Sequence, residues 1–209
     1  MYPARFSICL FAFASLCVFM GPSAALPLQQ FLKLHRPSRS VSALQRHTSH
    51  LANEATIVKG STDTLHENYM NDRFGQTTIV RTQDLTAPSL TLPGTYAVDA
   101  NHISDSEIAE RHYDNLVCYK QVLIKVNATE PTHSSSINDV IQKVKLLIAR
   151  LTEVRELFNQ SSADPQPCSS DTFDQNTERD QRTLYVLQEF IAYMYQVASD
   201  FGVLSSHYQ

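Results

Sequence analysis

The chain has 209 residues, with 17 Lys and Arg against 21 Asp and Glu and a net charge of -4. This acidic balance disfavours nucleic-acid binding, and five Gly provide no glycine-rich phosphate loop. The nucleophile and metal motifs G-x-S-x-G, H-E-x-x-H and C-x-x-C are absent, so the sequence indicates no enzyme, no cofactor and no metal site.

Residues 1–25 are predicted to be a secretory signal peptide. Arg5 precedes an uncharged apolar run, 6–20, and small residues follow it, as signal peptidase requires. The run is short for a membrane span, although an uncleaved anchor is the alternative. Cleavage would leave a secreted, extracellular domain over residues 26–209.

The first long helix is predicted over residues 40–73, where apolar residues and two Thr repeat at three-and-four spacing. His47 and His50 lie one turn apart in it, as a metal-binding pair would. No third ligand is nearby, so a plain solvated pair is predicted, and a metal site is the alternative. Residues 75–103 have no helical period and form a long connection, with a short strand expected at 78–81.

The second helix is predicted over residues 104–127, because Ser104 opens it with a capping-box pattern. His112 lies on its apolar face, where a hydrogen-bonded, partly buried histidine is expected. The link that follows is too short to return along a helix, so the next helix must be an antiparallel neighbour. That third helix is predicted over 136–158, with Ser136 as its cap.

The fourth helix is predicted over residues 178–206, after a second long connection. Four long helices joined by long, short and long links are typical of one architecture. The sequence therefore predicts an all-α, long-chain four-helix bundle with up-up-down-down topology and two long crossover loops. An apolar stripe that includes Leu147 is expected to supply part of its single core.

Four residues of the predicted domain are candidates for covalent modification. Asn127 and Asn159 each begin an N-glycosylation pattern next to a helix end. Cys118 and Cys168 are the cysteines that remain after signal cleavage, and a bridge between them is expected. Two free thiols or an intermolecular pair are the alternatives.

Residues 186–207, VLQEFIAYMYQVASDFGVLSSH, resemble the last helix of ciliary neurotrophic factor without a gap. Weaker similarity extends over residues 67–75, 110–123 and 136–158. The chain therefore resembles a divergent, fish-type member of the interleukin-6 family, in the subgroup of ciliary neurotrophic factor, leukaemia inhibitory factor and cardiotrophin-like cytokines. A hormone similar to growth hormone or leptin, or a secreted lipid-binding carrier, would share the helical pattern but not the last-helix match.

The resemblance implies a cytokine that bridges class I cytokine receptor chains and so starts Janus-kinase and STAT signalling. The expected partners are a glycoprotein 130-like chain, a leukaemia inhibitory factor receptor-like chain and an alpha receptor. At the alpha-receptor face, the matching residues are Tyr193, Gln196 and Asp200. Here Asp200→Ala is expected to weaken receptor binding and leave melting unchanged.

Two further receptor faces are expected from the same resemblance. The outer surfaces of the first and third helices carry Arg46, Asn53, Gln142 and Lys145. The start of the last helix carries Phe173, Thr177 and Asp180, at the face for the leukaemia inhibitory factor receptor-like chain. The family's lysine in this motif is replaced here by Asn176, which is a departure from the pattern.

Overall fold

The computed structural model describes residues 39–75, 92–93, 103–160 and 176–209. The chain divides into two units, Met1–Arg39 and Ser40–Gln209, and the described residues after Arg39 belong to the second. They form four helices and no strand, which confirms the all-helical prediction. The helices are α1 (Arg39–Phe74), α2 (Asp105–Thr129), α3 (Ser134–Leu157) and α4 (Asn176–His207), with every end within two residues of its predicted position.

The start of α2 follows the predicted capping pattern, whereas the start of α3 does not. The Ser104 side chain accepts a hydrogen bond from the backbone N–H of Glu107, at 3.3 Å. Helix α3 begins at Ser134, with His133 at the cap position and no side-chain cap. Ser136 therefore lies inside the first turn, and its prediction as the cap is wrong.

Both α1 and α3 end with a residue in the left-handed region of backbone space. Gly75 has φ 60°, and its N–H donates to the carbonyl of Asn71 at 3.2 Å. Asn159 has φ 57°, and the next N–H, of Gln160, donates to the carbonyl of Arg155 at 3.0 Å. Gly and Asn are the residues that best tolerate this conformation at a helix end.

One apolar core contains residues from all four helices. Aromatic rings form its α2–α4 layer, where Tyr119 stacks on Tyr193 with ring centroids 5.0 Å apart. The buried Thr48 and Thr62 interrupt the apolar stripe of α1. Each hydroxyl donates to the carbonyl four residues earlier, at 2.8 Å, so neither leaves an unpaired donor in the core.

Polar contacts between helices occur along the whole bundle. They pair residues of α1 with α3, α2 with α4, and α1 with α4: Glu54 with Arg150 at 2.8 Å, Ser61 with Lys143 at 2.7 Å, His112 with Asp200 at 2.9 Å, and Tyr69 with Asp180 at 3.1 Å. These contacts bring the predicted site residues of α4 next to named partners on the other helices.

Several sequence predictions fall outside the described residues. They are the signal peptide at 1–25, the short strand at 78–81, Phe173 and Cys168. Among the helices that are described, none combines the length and apolar character that a bilayer crossing requires.

Candidate functional site

The three predicted residues near the end of α4 differ in how far they reach the surface. Tyr193 is fully buried, Gln196 is half-buried, and Asp200 is 9% exposed. A fully buried ring offers no surface to a partner. The prediction of Tyr193 as a receptor contact is therefore corrected: in this structure it is a core residue, because the α4 stripe turns it onto Tyr119 of α2.

Asp200 is held from inside the protein by His112. The Nε2 atom of His112 lies 2.9 Å from Asp200 Oδ2, and Nδ1 lies 2.8 Å from the Tyr193 hydroxyl. The histidine ring is fully buried and packs against Phe201, with ring centroids 5.3 Å apart. The predicted hydrogen-bonded histidine is therefore present, and two residues expected at a receptor face are its partners.

This geometry changes the expected effect of Asp200→Ala. The substitution removes the acceptor of a buried N–H, which costs about 1–3 kcal/mol of unfolding free energy. The expectation of unchanged melting does not fit this burial, and the melting temperature of Asp200→Ala should be lower than that of the parent. Asp200→Asn keeps an acceptor oxygen and serves as the control, with a smaller decrease in melting temperature. Equal melting of Asp200→Ala and the parent would contradict the role of this contact.

A cleft of ≈ 180 Å³ opens beside Asp200, between the start of α2 and the end of α4. Its lining combines acidic, other polar and apolar side chains: Asp105, Asp200, His207, Ser199, Ile108, Val203 and Leu204. The Tyr208 hydroxyl donates to Asp105 Oδ2 at 2.6 Å, and His207 Nδ1 lies 3.3 Å from Asp105 Oδ1. Burial, and then the Asp105 carboxylate, raise the pKa of Tyr208, so its hydroxyl remains a donor at neutral pH.

The predicted residues on α1 and α3 lie at the surface of two neighbouring helices. Arg46, Asn53, Gln142 and Lys145 are all exposed. Gln142 accepts from Lys145 at 3.4 Å and donates to Asn138 at 3.2 Å. We call this surface the α1–α3 seam, defined by these predicted residues together with Ile57 and Leu146.

Ile57 and Leu146 are the seam residues that the sequence prediction missed. They are 59% and 69% exposed. Two contacts between the helices, Glu54 with Arg150 and Ser61 with Lys143, enclose both residues. Ile57 lies between them on α1, and Leu146 lies between them on α3. The helical period places both beside the core stripe, because each directly precedes a stripe residue and one residue is a rotation of about 100° around a helix. That position alone does not tell whether the side chain is buried or exposed.

The two histidines of α1 contact different residues of α3. His47 Nδ1 lies 3.2 Å from Glu153 Oε2, and His50 Nδ1 lies 3.3 Å from the guanidinium of Arg150. The described ranges contain no group of three side chains arranged to hold a metal ion. Each of the two histidines thus has a polar contact with α3.

No family model matches this chain, and a comparison with curated proteins finds no significant match. The interleukin-6 family resemblance therefore depends on the last-helix residues quoted above. The geometry adds that residues of that stretch alternate between two environments. Tyr193 and Phe201 are interior, while Asp200 and Val203 line a cleft.

The predicted face at the start of α4 is described in part. Thr177 lies in α4, but its side chain is outside the described residues, as is Phe173. Asp180 accepts hydrogen bonds from the Tyr69 hydroxyl and from Arg179 Nε, each at 3.1 Å. The same Tyr69 hydroxyl lies 3.2 Å from Glu130 Oε2, so Asp180 belongs to a polar network that joins α1, α4 and the α2–α3 link.

Glu130 is the buried centre of this network. Its Oε1 accepts from the guanidinium of Arg73 at 2.6 Å and from the backbone N–H of Thr132 at 2.9 Å. Burial raises the pKa of Glu130, but the hydrogen bonds from Thr132, Arg73 and His133 outweigh it and hold this pKa below its ordinary value. The same carboxylate also holds the link ahead of α3, because the backbone N–H groups of Thr132 and His133 donate to it.

Glu130 makes the stability of the fold depend on pH. A carboxyl whose pKa is lower in the folded state stabilises above its unfolded pKa, and this contribution is lost as pH falls through the folded pKa. We therefore expect the melting temperature of the parent to fall more steeply below about pH 4.5 than the melting temperature of Glu130→Gln. Differential scanning calorimetry from pH 3 to 7 would measure the two slopes. Parallel curves would contradict this assignment.

Cys118 and the two glycosylation candidates are also placed in part. Cys118 is buried in α2 and is disulfide-bonded. Its pairing with Cys168 stays a prediction, because Cys168 is outside the described residues. Asn127 lies in the last turn of α2 with a buried side-chain oxygen, whereas Asn159 is exposed just after α3. Asn159 therefore offers a glycan more room than Asn127 does.

Proposed function

We propose that this protein is a secreted cytokine of the interleukin-6 type that binds and bridges class I cytokine receptor chains. The observation that carries the proposal is the presence of two separate surfaces on one helical core. The α1–α3 seam exposes apolar side chains within a polar border, and the cleft between α2 and α4 contains two carboxylates. A ligand that brings two receptor chains together needs two such surfaces.

The proposal includes an up-up-down-down order of the helices. The start of α2 meets the end of α4 at Asp105 and His207, and their interior meets at His112 and Asp200. Residues early in α1 meet residues late in α3, as His47 meets Glu153. Helix α1 also runs opposite to α4, since its end meets the start of α4. These pairings support parallel directions for α1 with α2 and for α3 with α4.

The composition of the α1–α3 seam supports its use as a protein interface. Exposed apolar side chains are ordinary when single, but Ile57 and Leu146 lie in one interval of neighbouring helices. The polar contacts on either side of them fix the two helices relative to each other, so the surface is preorganised for binding. We propose that this seam binds the glycoprotein 130-like chain, and that the cleft at Asp200 binds an alpha receptor, the second as the family resemblance implies.

The proposed function is tested by capture on immobilised ectodomains of candidate class I receptors, followed by STAT phosphorylation in cells that express the captured chains. We expect at least two different chains to bind, and signalling to require both. Binding to lipid vesicles, with no binding to any ectodomain, would support a lipid carrier instead. Capture by a single chain in a one-to-one complex would contradict the bridging mechanism.

Leu146→Asp tests the seam directly. An anchor residue at the centre of an interface contributes about 2 kcal/mol or more to binding, so we expect at least a tenfold loss of affinity for the receptor that the seam binds. Ile124→Asp is the matched control, because Ile124 is 46% exposed on α2 and outside both surfaces. Equal affinity of both variants, measured by surface plasmon resonance, would remove Leu146 from the interface.

A further inference from the structure

His112 lies in the core, yet the Asp200 carboxylate that it contacts lines an open cleft. The ring is fully buried, and Asp200 is nine-tenths buried. The 2.9 Å contact uses Oδ2 of Asp200, and no described residue hydrogen-bonds to Oδ1. One oxygen of this carboxylate is thus fixed from inside, while the other keeps its capacity to accept.

One donor of His112 follows from its partner. A carboxylate only accepts, so Nε2 must carry a proton and donate to Asp200 over 2.9 Å. Nδ1 lies 2.8 Å from the Tyr193 hydroxyl, which can donate to this nitrogen or accept from it. Both contacts hold the ring in place, and the Nε2–H bond fixes the direction in which the carboxylate is presented.

The cleft has the chemistry to receive a basic side chain. Ile108, Val203 and Leu204 provide apolar contact of the kind that covers the methylene stem of Arg or Lys. Asp105 already has Tyr208 and His207 as partners. Asp200 is therefore the lining acid with unused accepting capacity, and a guanidinium is the group that best matches a fixed carboxylate.

We propose that His112 is a positioning residue, which holds the Asp200 carboxylate in the cleft for an arginine side chain of a protein partner. This inference rests on the proposed function for the identity of the partner as a receptor chain. It goes further by naming the chemical group that enters the cleft, and by assigning a binding role to a residue that no partner can touch.

Two substitutions of His112 separate positioning from stability. The amide nitrogen of Gln has the reach of Nε2, so His112→Gln can still donate to Asp200. The amide of Asn has the reach of Nδ1, so His112→Asn keeps the contact with Tyr193 and releases Asp200. Each variant loses one of two buried hydrogen bonds, and we expect similar decreases in melting temperature.

Binding is measured with two small probes, acetyl-arginine amide and the neutral, similarly sized acetyl-citrulline amide, by backbone NMR shifts of Asp105, Asp200 and Val203. We expect the parent and His112→Gln to bind the arginine probe about fivefold more tightly than the citrulline probe. His112→Asn keeps the charge of Asp200 but not the contact that orients it, so this variant should lose most of the preference. Asp200→Asn, which keeps the side-chain volume and removes the charge, should also lose the preference and serves if His112→Asn does not fold.

Three results would overturn the inference: no preference for arginine in the parent, a preference retained by His112→Asn or by Asp200→Asn, or an equal loss of preference in both His112 variants. The third would indicate a structural role alone. No receptor enters this test. Failure to bind any receptor ectodomain would therefore contradict the proposed function while leaving the probe result valid.

Discussion

Leu147→Asp should lower the free energy of unfolding by about 4 kcal/mol or more, because it places an unpaired charge in a fully buried site. Leu147 lies in the middle of α3 among the core residues of all four helices, so no movement of a single side chain brings water to the carboxylate. Thermal melting followed by circular dichroism should show a decrease of about 10 °C or more.

The neighbouring residue provides the control for this prediction. Leu146→Asp makes the same chemical change at a side chain that is 69% exposed, and we expect it to stay within about 0.5 kcal/mol of the parent. The same substitution at two adjacent leucines should thus change the free energy of unfolding by amounts that differ by several kcal/mol. If both variants melt at the same temperature as the parent, α3 does not pack through its predicted stripe.

Arg73→Ala should lower the free energy of unfolding by about 3 kcal/mol, because it leaves the buried carboxylate of Glu130 without its charged partner. The Glu130 side chain is fully buried, and the guanidinium of Arg73 lies 2.6 Å from Oε1. The remaining donors, Tyr69 and two backbone N–H groups, carry no charge. Chemical denaturation at pH 7 measures the loss. At pH 3 the variant and the parent should differ less, since the stabilisation that the lowered pKa of Glu130 gives the parent is lost progressively as the pH falls below about 4.5.

Arg111→Ala is the matched control for the buried ion pair. Arg111 contacts Glu107 at the same distance, 2.6 Å, but both side chains are 45% exposed. Exposed pairs one helical turn apart contribute about 0.3–0.5 kcal/mol. A loss from Arg73→Ala as small as that from Arg111→Ala would show that Glu130 is solvated in solution.

The helices could be predicted from the sequence because burial follows the helical period. The stripe of α3 identified Leu147 as core, and the capping pattern at Ser104 identified the start of α2. The prediction failed at Ser136, because α3 begins two residues earlier, directly after a link whose backbone N–H groups donate to Glu130. A local pattern does not report a carboxylate that arrives from outside the helix.

The candidate site was less predictable, because its partners are distant in sequence. His112 meets Tyr193 and Asp200 across separations of 81 and 88 residues. Similarity to a family identifies the position of Asp200, but not whether its side chain faces outward. Ile57 and Leu146 were overlooked for the opposite reason: an apolar residue next to a core stripe gives the same local signal whether it is buried or exposed.

The polar contacts at the two ends of α4 together fix its axial register. Asp180 is tied to Tyr69 near one end, and Asp200 is tied to His112 near the other. These acids are separated by about 30 Å along the helix axis, since each residue rises 1.5 Å. A slip of one turn, about 5.4 Å, would break both sets of hydrogen bonds at once. Helix α4 is therefore protected against sliding, a motion that apolar contacts alone resist poorly because similar side chains recur at every turn.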